Sequence, residues 1–190
     1  MALAEGGLVL VALALGKWLG APPFAALEWS WRGLAWGIGA TAPLLLALRW
    51  CLRTRVGPLV RLVRLAEERV APVFAGSSGL ELALVSLLAG VGEEALFRGV
   101  LQTALTEHLP VWGAIGLTAV VFGMVHWLTP AYAGYATLVG AYLGWTYAAS
   151  GNLLVPIVAH AVYDLIALAE ILKDGEDGED GEDGEVGDGG

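Results

Sequence analysis

Glu93, Glu94, Arg98, His126, His160 and Asp164 lie inside long apolar stretches of this sequence. An ionisable side chain in mid-bilayer costs on the order of several kcal/mol or is neutralised, so residues of this kind mark a functional site by default. Within one helix, residues four apart share a face. Glu94 and Arg98 have that spacing and can neutralise each other, which leaves Glu93 free for other work. His160 and Asp164 have it too, so Asp164 can approach the imidazole or share a ligand with it. The chemistry open to such a set is hydrolytic. A poorly solvated carboxylate acts as a general base towards water, and a histidine fixes that water or a metal. An oxyanion needs preorganised donors in a dry site, and His160 could be one of them.

The elements that must carry these residues are apolar helices. The sequence is 57% hydrophobic and 15% charged, with a mean hydropathy of +0.68, which is more apolar surface than a soluble core of this length uses. The formal net charge of -9 belongs to the end of the chain. Without Asp174, Glu176, Asp177, Glu179, Asp180, Glu182, Asp183, Glu185 and Asp188, acids and bases balance. The neutral body gives no reason to expect a nucleic-acid partner. Cys51, the single cysteine, excludes an intramolecular disulfide, a CxxC redox pair and a cysteine-rich zinc site, and reads as a small apolar residue.

Apolar segments cover roughly residues 6–27, 33–52, 80–107, 111–128, 132–149 and 153–172, each near the ~20 residues that span the hydrocarbon. The first reads as a retained membrane segment rather than a cleaved signal, because no basic residue precedes it. Trp29, Trp31 and Trp36 suit a headgroup interface. Residues 53–76 alternate arginines with Leu and Val and read as a surface helix on anionic lipid. With Arg49, the arginines 53, 55, 61, 64 and 69 form a basic connection that the positive-inside rule places in the cytoplasm. Ser78 and Glu81 have capping-box spacing and open the third long helix. The expected architecture is an all-α polytopic transmembrane bundle of about six helices with an amphipathic interfacial helix. It comprises an N-terminal hairpin plus basic surface segment (1–76), a four-helix core (77–172) and a disordered acidic Gly-rich tail (173–190), with both termini cytoplasmic.

Depth along the helices can be compared from the sequence. Pro110 marks a turn, and Glu93 precedes it by nearly as many residues as His126 follows it. At about 1.5 Å per residue, each lies roughly 24–26 Å from that turn, so a Glu and a His can meet. His160 and Asp164 lie somewhat shallower, about 14–20 Å past Gly151 on the same scale, a gap that helix tilt closes.

Glu93-Glu94-Ala95-Leu96-Phe97-Arg98 is EExxxR, Phe122 to His126 is FxxxH, and His160 to Asp164 is HxxxD. Three such motifs, in order on separate apolar helices between about residues 80 and 170, resemble those of the CPBP family. These are the CAAX-protease and bacteriocin-processing (Abi-like) intramembrane proteases. The resemblance implies hydrolysis of a peptide bond in a membrane-associated protein or peptide. Glu93 and His126 would activate a water, and His160 with residue 164 would bind the oxyanion. Many relatives have Asn where this chain has Asp164. An ionised Asp cannot donate, so Asp164 would be protonated, orient His160, or ligate a metal. Members have been described both as metalloproteases and as metal-independent glutamate-type enzymes. If a metal is bound, zinc on Glu93, His126, His160 and Asp164 is the expectation.

The remaining candidates take plainer readings. Glu94 with Arg98 is a supporting ion pair, and Phe122 is a packing residue that holds His126. Glu107 and His108 flank the turn at Pro110 and stay outside the site. Gly140 and Gly144 mark close helix packing. Two other functions use similar residues. A proton-coupled transporter would show inverted repeats, and none is visible. A non-catalytic scaffold or immunity factor would tolerate loss of a motif residue, and all are retained here.

Overall fold

A computed structural model describes residues 2–182, with side chains for residues 6–173. Its regular elements are all helices. α1 (Ala2–Leu19) stops where Gly20 adopts φ +71° and Pro22-Pro23 cannot continue a helix. α2 (Trp31–Arg53) starts on Ser30, whose hydroxyl accepts the Gly33 N–H at 3.0 Å. α3 (Gly57–Arg69) and the short α4 (Ala71–Phe74) follow. α5 (Gly79–Glu94) opens on the expected capping box. Ser78 Oγ accepts the Glu81 N–H, and Glu81 accepts the Ser78 N–H at 2.8 Å. The chain then continues as a π-helical segment (Ala95–Gln102) and α6 (Thr103–Thr106). α7 (Val111–Val125), α8 (Pro130–Ser150) and α9 (Leu154–Glu182) complete the bundle.

α9 packs on α2 and α5, α7 packs on α8, and α1 packs on α5 and the π segment. One apolar core joins Leu44 and Leu48 of α2 to Val139 and Leu143 of α8 and to Ala159, Tyr163 and Ala167 of α9. The Asn152 side chain ties the α8–α9 turn to the α1–α2 loop by accepting the Glu28 N–H and donating to the Glu28 carbonyl. Gly140 lies against Phe122, so the small residues of α8 do allow α7 to approach closely.

Polarity runs opposite to that of a soluble protein. Glu94 and Arg98 are wholly buried, while Trp18 and Trp31 are 80% and 87% exposed and Leu138 is 71% exposed. Apolar exteriors around buried ions suit a hydrocarbon solvent.

Helix length and composition do not confirm the expectation of about six spanning helices. Among the described residues, α2 and Leu154–Lys173 of α9 are long and apolar enough to cross a membrane. A third span results if Gly57–Phe74 and Gly79–Thr106, bent by 114°, count as one. The shorter helices have local causes. Gly6–Leu19 and Val111–Val125 are apolar but short, the first ended by Gly20 and the prolines, the second by His126. α8 reaches span length but dilutes its apolar residues with Thr, Tyr, Ser and Gly.

Residues 53–76 form α3 and α4 rather than one continuous surface helix, and their apolar side also turns inward, burying Leu62 and Phe74. The backbone of α9 is described through Glu182. Residues 183–190 and the side chains from 174 onward, which carry the acidic tail, lie outside the described residues.

Candidate active site

Four helical elements deliver the site. α5 ends in Glu93 and Glu94, the π segment carries Arg98, α7 ends against His126, and α9 presents His160 and Asp164. Glu93 Oε2 stands 3.6 Å from His126 Nε2 and 4.0 Å from His160 Nε2. Asp164 Oδ2 is 3.4 Å from the same His160 nitrogen. Glu93, His126, His160 and Asp164 therefore surround one small volume, despite the shallower position that counting gives the last two.

Each ring is oriented from behind. His126 Nδ1 lies 2.8 Å from the Phe122 carbonyl; a carbonyl only accepts, so this nitrogen carries the proton and donates. The ring also stacks on Phe122, with centroids 4.3 Å apart. His160 Nδ1 is 2.8 Å from Glu94 Oε1, which also accepts from Arg98 Nη1 at 2.8 Å. Charge neutralised by Arg98 lets Glu94 act as a fixed acceptor for the imidazole. The expected Glu94–Arg98 pair is thus present and does more than neutralise: it orients His160. With both Nδ1 atoms engaged, both Nε2 atoms face Glu93.

Glu93 Oε2 is itself buried and has no hydrogen-bond partner. Separations of 3.6 and 4.0 Å are too long for direct hydrogen bonds, and polar groups held at such distances are commonly bridged by water. Phe122 lies beneath the whole cluster. It meets Phe97 edge-on at 4.9 Å, and the Arg98 guanidinium sits 4.9 Å from its ring centroid.

The donor types suit zinc, since two imidazoles oriented through Nδ1 and two carboxylates are ordinary ligands. Among the described residues, however, no three His, Cys, Asp or Glu side chains are grouped so as to hold a metal ion. Side chains would have to move to close around one.

The cluster opens into a cavity of about 330 Å³. Apart from the four site residues and Ser86, its wall is mainly aliphatic and aromatic, with the hydrogen-bonded hydroxyls of Tyr135 and Tyr163, 2.8 Å apart, along one side. Glu107 and His108 are exposed and outside it.

Comparison with known proteins meets this same region. Residues 75–166 match the family model described as type II CAAX prenyl endopeptidase Rce1-like. Over these residues the chain is similar to that family. The match to the Rce1-like model spans Glu93, Glu94, Arg98, Phe122, His126, His160 and Asp164, so every motif residue of the sequence falls within it. The chain is also 32% identical over 105 residues to the uncharacterized protein YpbD of Bacillus subtilis (strain 168). That match covers 52% of this chain and 50% of YpbD, so the chain spans about half the length of this relative. No solved structure matches it. An Rce1-like segment on apolar helices with buried ions makes this a helical membrane protein.

Several contributors to the candidate site are not apparent from the motifs. Arg98 Nη2 donates to the Gly140 carbonyl at 2.7 Å, and Gln102 Nε2 donates to the Gly144 carbonyl at 3.0 Å. These two bonds peg the π segment to α8. Gln102 carries the same signal as the charged residues, a polar side chain within an apolar helix four residues from Arg98. The Glu94–His160 contact joins residues far apart in sequence and has no such signal. Nor does the π segment, whose wider turn follows directly on Glu93 and Glu94, as such segments often do at functional sites.

Proposed function

We propose that this chain is an intramembrane endopeptidase that hydrolyses a peptide bond of a membrane-associated protein or peptide with a water held by Glu93 and His126. The observation that carries the reading is the unpartnered, buried Glu93 Oε2 facing two imidazole Nε2 atoms at the end of a cavity. A buried carboxylate oxygen without a donor is costly, and this one is placed where a water would satisfy it.

The water gives a proton to Glu93 as its oxygen attacks the carbonyl carbon, with His126 Nε2 orienting it. The tetrahedral oxyanion then needs a donor. His160 has committed Nδ1–H to Glu94, so the donor it offers is Nε2–H of the doubly protonated ring, with Asp164 nearby to balance the charge. The proton on Glu93 passes to the leaving nitrogen as the C–N bond breaks, which restores the carboxylate. Each of these steps uses the chain's own residues and none passes through an ion.

The rest of the cavity would receive apolar side chains flanking the scissile bond. The arginines between residues 49 and 69 favour a cytoplasmic α2–α3 connection, and in the six-span reading both termini share that side. A non-catalytic scaffold would have no use for an unsatisfied Glu93.

The test compares the termini of membrane proteins in cells carrying the native chain or Glu93→Gln. New termini are expected only with the native chain. Identical termini in the two, with both proteins inserted and folded, would remove the assignment.

A further inference from the structure

α3 and α4 help to close the cavity that holds the site. Leu62, Ala66, Val70 and Phe74 contribute to its wall, and Leu62 is the one buried residue of α3. The outward side of the same stretch is cationic. Arg61, Arg64 and Arg69 are exposed, as are Arg49, Arg53 and Arg55 just before them. Among the described residues none of these six has a carboxylate within 4.0 Å, and the acids within α3 itself are Glu67 and Glu68. α2 is long and apolar enough to span the bilayer and ends at Arg53. α3 therefore begins at the membrane surface, where Trp50 is also exposed. Cationic side chains held at headgroup level meet the phosphates of anionic lipids there.

We infer that the arginine face formed by the end of α2 and by α3 binds anionic phospholipid headgroups, and that this binding seats α3 and α4 over the site cavity. Leu62 is the one fully buried residue that anchors α3, so headgroup binding on the charged side adds to its hold. The inference relies on the peptidase reading for its consequence, control of access to Glu93. Binding and seating themselves require no catalysis.

Cys51 allows a test that does not depend on cleavage. It is the single cysteine of the chain, lines the same cavity and is 3% exposed. The full chain is reconstituted in vesicles of phosphatidylcholine alone, or with about 30 mole per cent phosphatidylglycerol to supply surface charge. Its modification by N-ethylmaleimide is then followed by mass spectrometry. Modification is expected to be at least about tenfold slower with the anionic lipid, given about a factor of five per seated arginine. The variant Arg61→Gln/Arg64→Gln/Arg69→Gln keeps Arg49, Arg53 and Arg55 but strips α3 itself, and should lose most of the lipid effect. Repeating the comparison with Cys51→Ala and Ser86→Cys, which moves the thiol to another point on the cavity wall, should give the same ordering.

Equal rates for the native chain in both lipids, or an undiminished lipid effect in the triple variant, would overturn the inference. So would protection in phosphatidylcholine alone that disappears when the chain is ended at Lys173, because the acidic tail would then be the occupant. Glu93→Gln should keep the full lipid effect. A chain that is protected by lipid but cleaves nothing therefore counts against the peptidase reading alone, and an active chain indifferent to lipid counts against this one alone.

Discussion

Adjacent glutamates should respond in opposite ways to the same isosteric change. Glu94 Oε1 accepts from Arg98 and from His160, each at 2.8 Å, in a wholly buried position. Glu94→Gln keeps the shape but leaves the Arg98 charge without a counter-ion, and it puts an NH₂ where Glu94 Oε2 now has no partner. Removing one member of a buried pair costs about 3–5 kcal/mol. For a chain of this size each kcal/mol lowers Tm by about 2–4 °C, so the shift should be about 6–20 °C. Glu93→Gln breaks no hydrogen bond, because Glu93 Oε2 has none. It should move stability by no more than about 1 kcal/mol, and removing a buried acid whose oxygen lacks a hydrogen-bond partner can raise Tm. Thermal unfolding of both variants in the same detergent, followed by far-ultraviolet circular dichroism, measures the difference. Equal shifts for the two variants, or a larger loss for Glu93→Gln, would refute the division of roles between them.

Other expectations follow from the packing. Gly123→Ala would bring a Cβ onto Thr137 and to 2.5 Å from the Ala133 carbonyl, separating α7 from α8. A cost of about 1–3 kcal/mol is expected in a denaturation series, with reduced cleavage because His126 lies less than one turn further along the same helix end. Ser78→Ala removes the capping box at the far end of α5 and should cost about 1 kcal/mol in the same series while leaving cleavage intact. Arg98→Lys cannot reach both Glu94 and the Gly140 carbonyl as the guanidinium does, so it should lower Tm nearly as far as Arg98→Met. The proposed steps use side chains alone, so on that reading cleavage should survive dialysis against a chelator. Activity lost in parallel with zinc, measured by elemental analysis, and restored on its return would require a metal-based mechanism instead.

The site was more legible in the sequence than the fold around it. Ionisable residues in apolar helices are rare enough that Glu93, Glu94, Arg98, His126, His160 and Asp164 could be selected by their places in the apolar segments. The turn at Pro110 then fixed the depth at which Glu93 and His126 meet. The orientation of His160 was not legible. HxxxD spacing suggests Asp164 as its partner, whereas Glu94 takes Nδ1 from another helix, a choice made by how α9 is rotated against α5. The number of spans was not legible in the sequence, because hydropathy windows run across local breaks. Gly20 and Pro22-Pro23 shorten α1, and His126 closes α7. The 114° bend between α4 and α5 also separates two stretches that hydropathy alone cannot orient. The arginines of α3 were visible as an amphipathic pattern, but a sequence does not reveal that the apolar side of the same helix lines the cavity.

The most direct test of the central claim uses the purified chain in a bilayer with a substrate found from the comparison of termini, cleaved in water enriched in ¹⁸O. Hydrolysis by a water held between Glu93 and His126 should place one heavy oxygen in the new carboxylate, with no product from Glu93→Gln or His126→Ala under conditions where both remain folded. Cleavage that persists in either variant would contradict it.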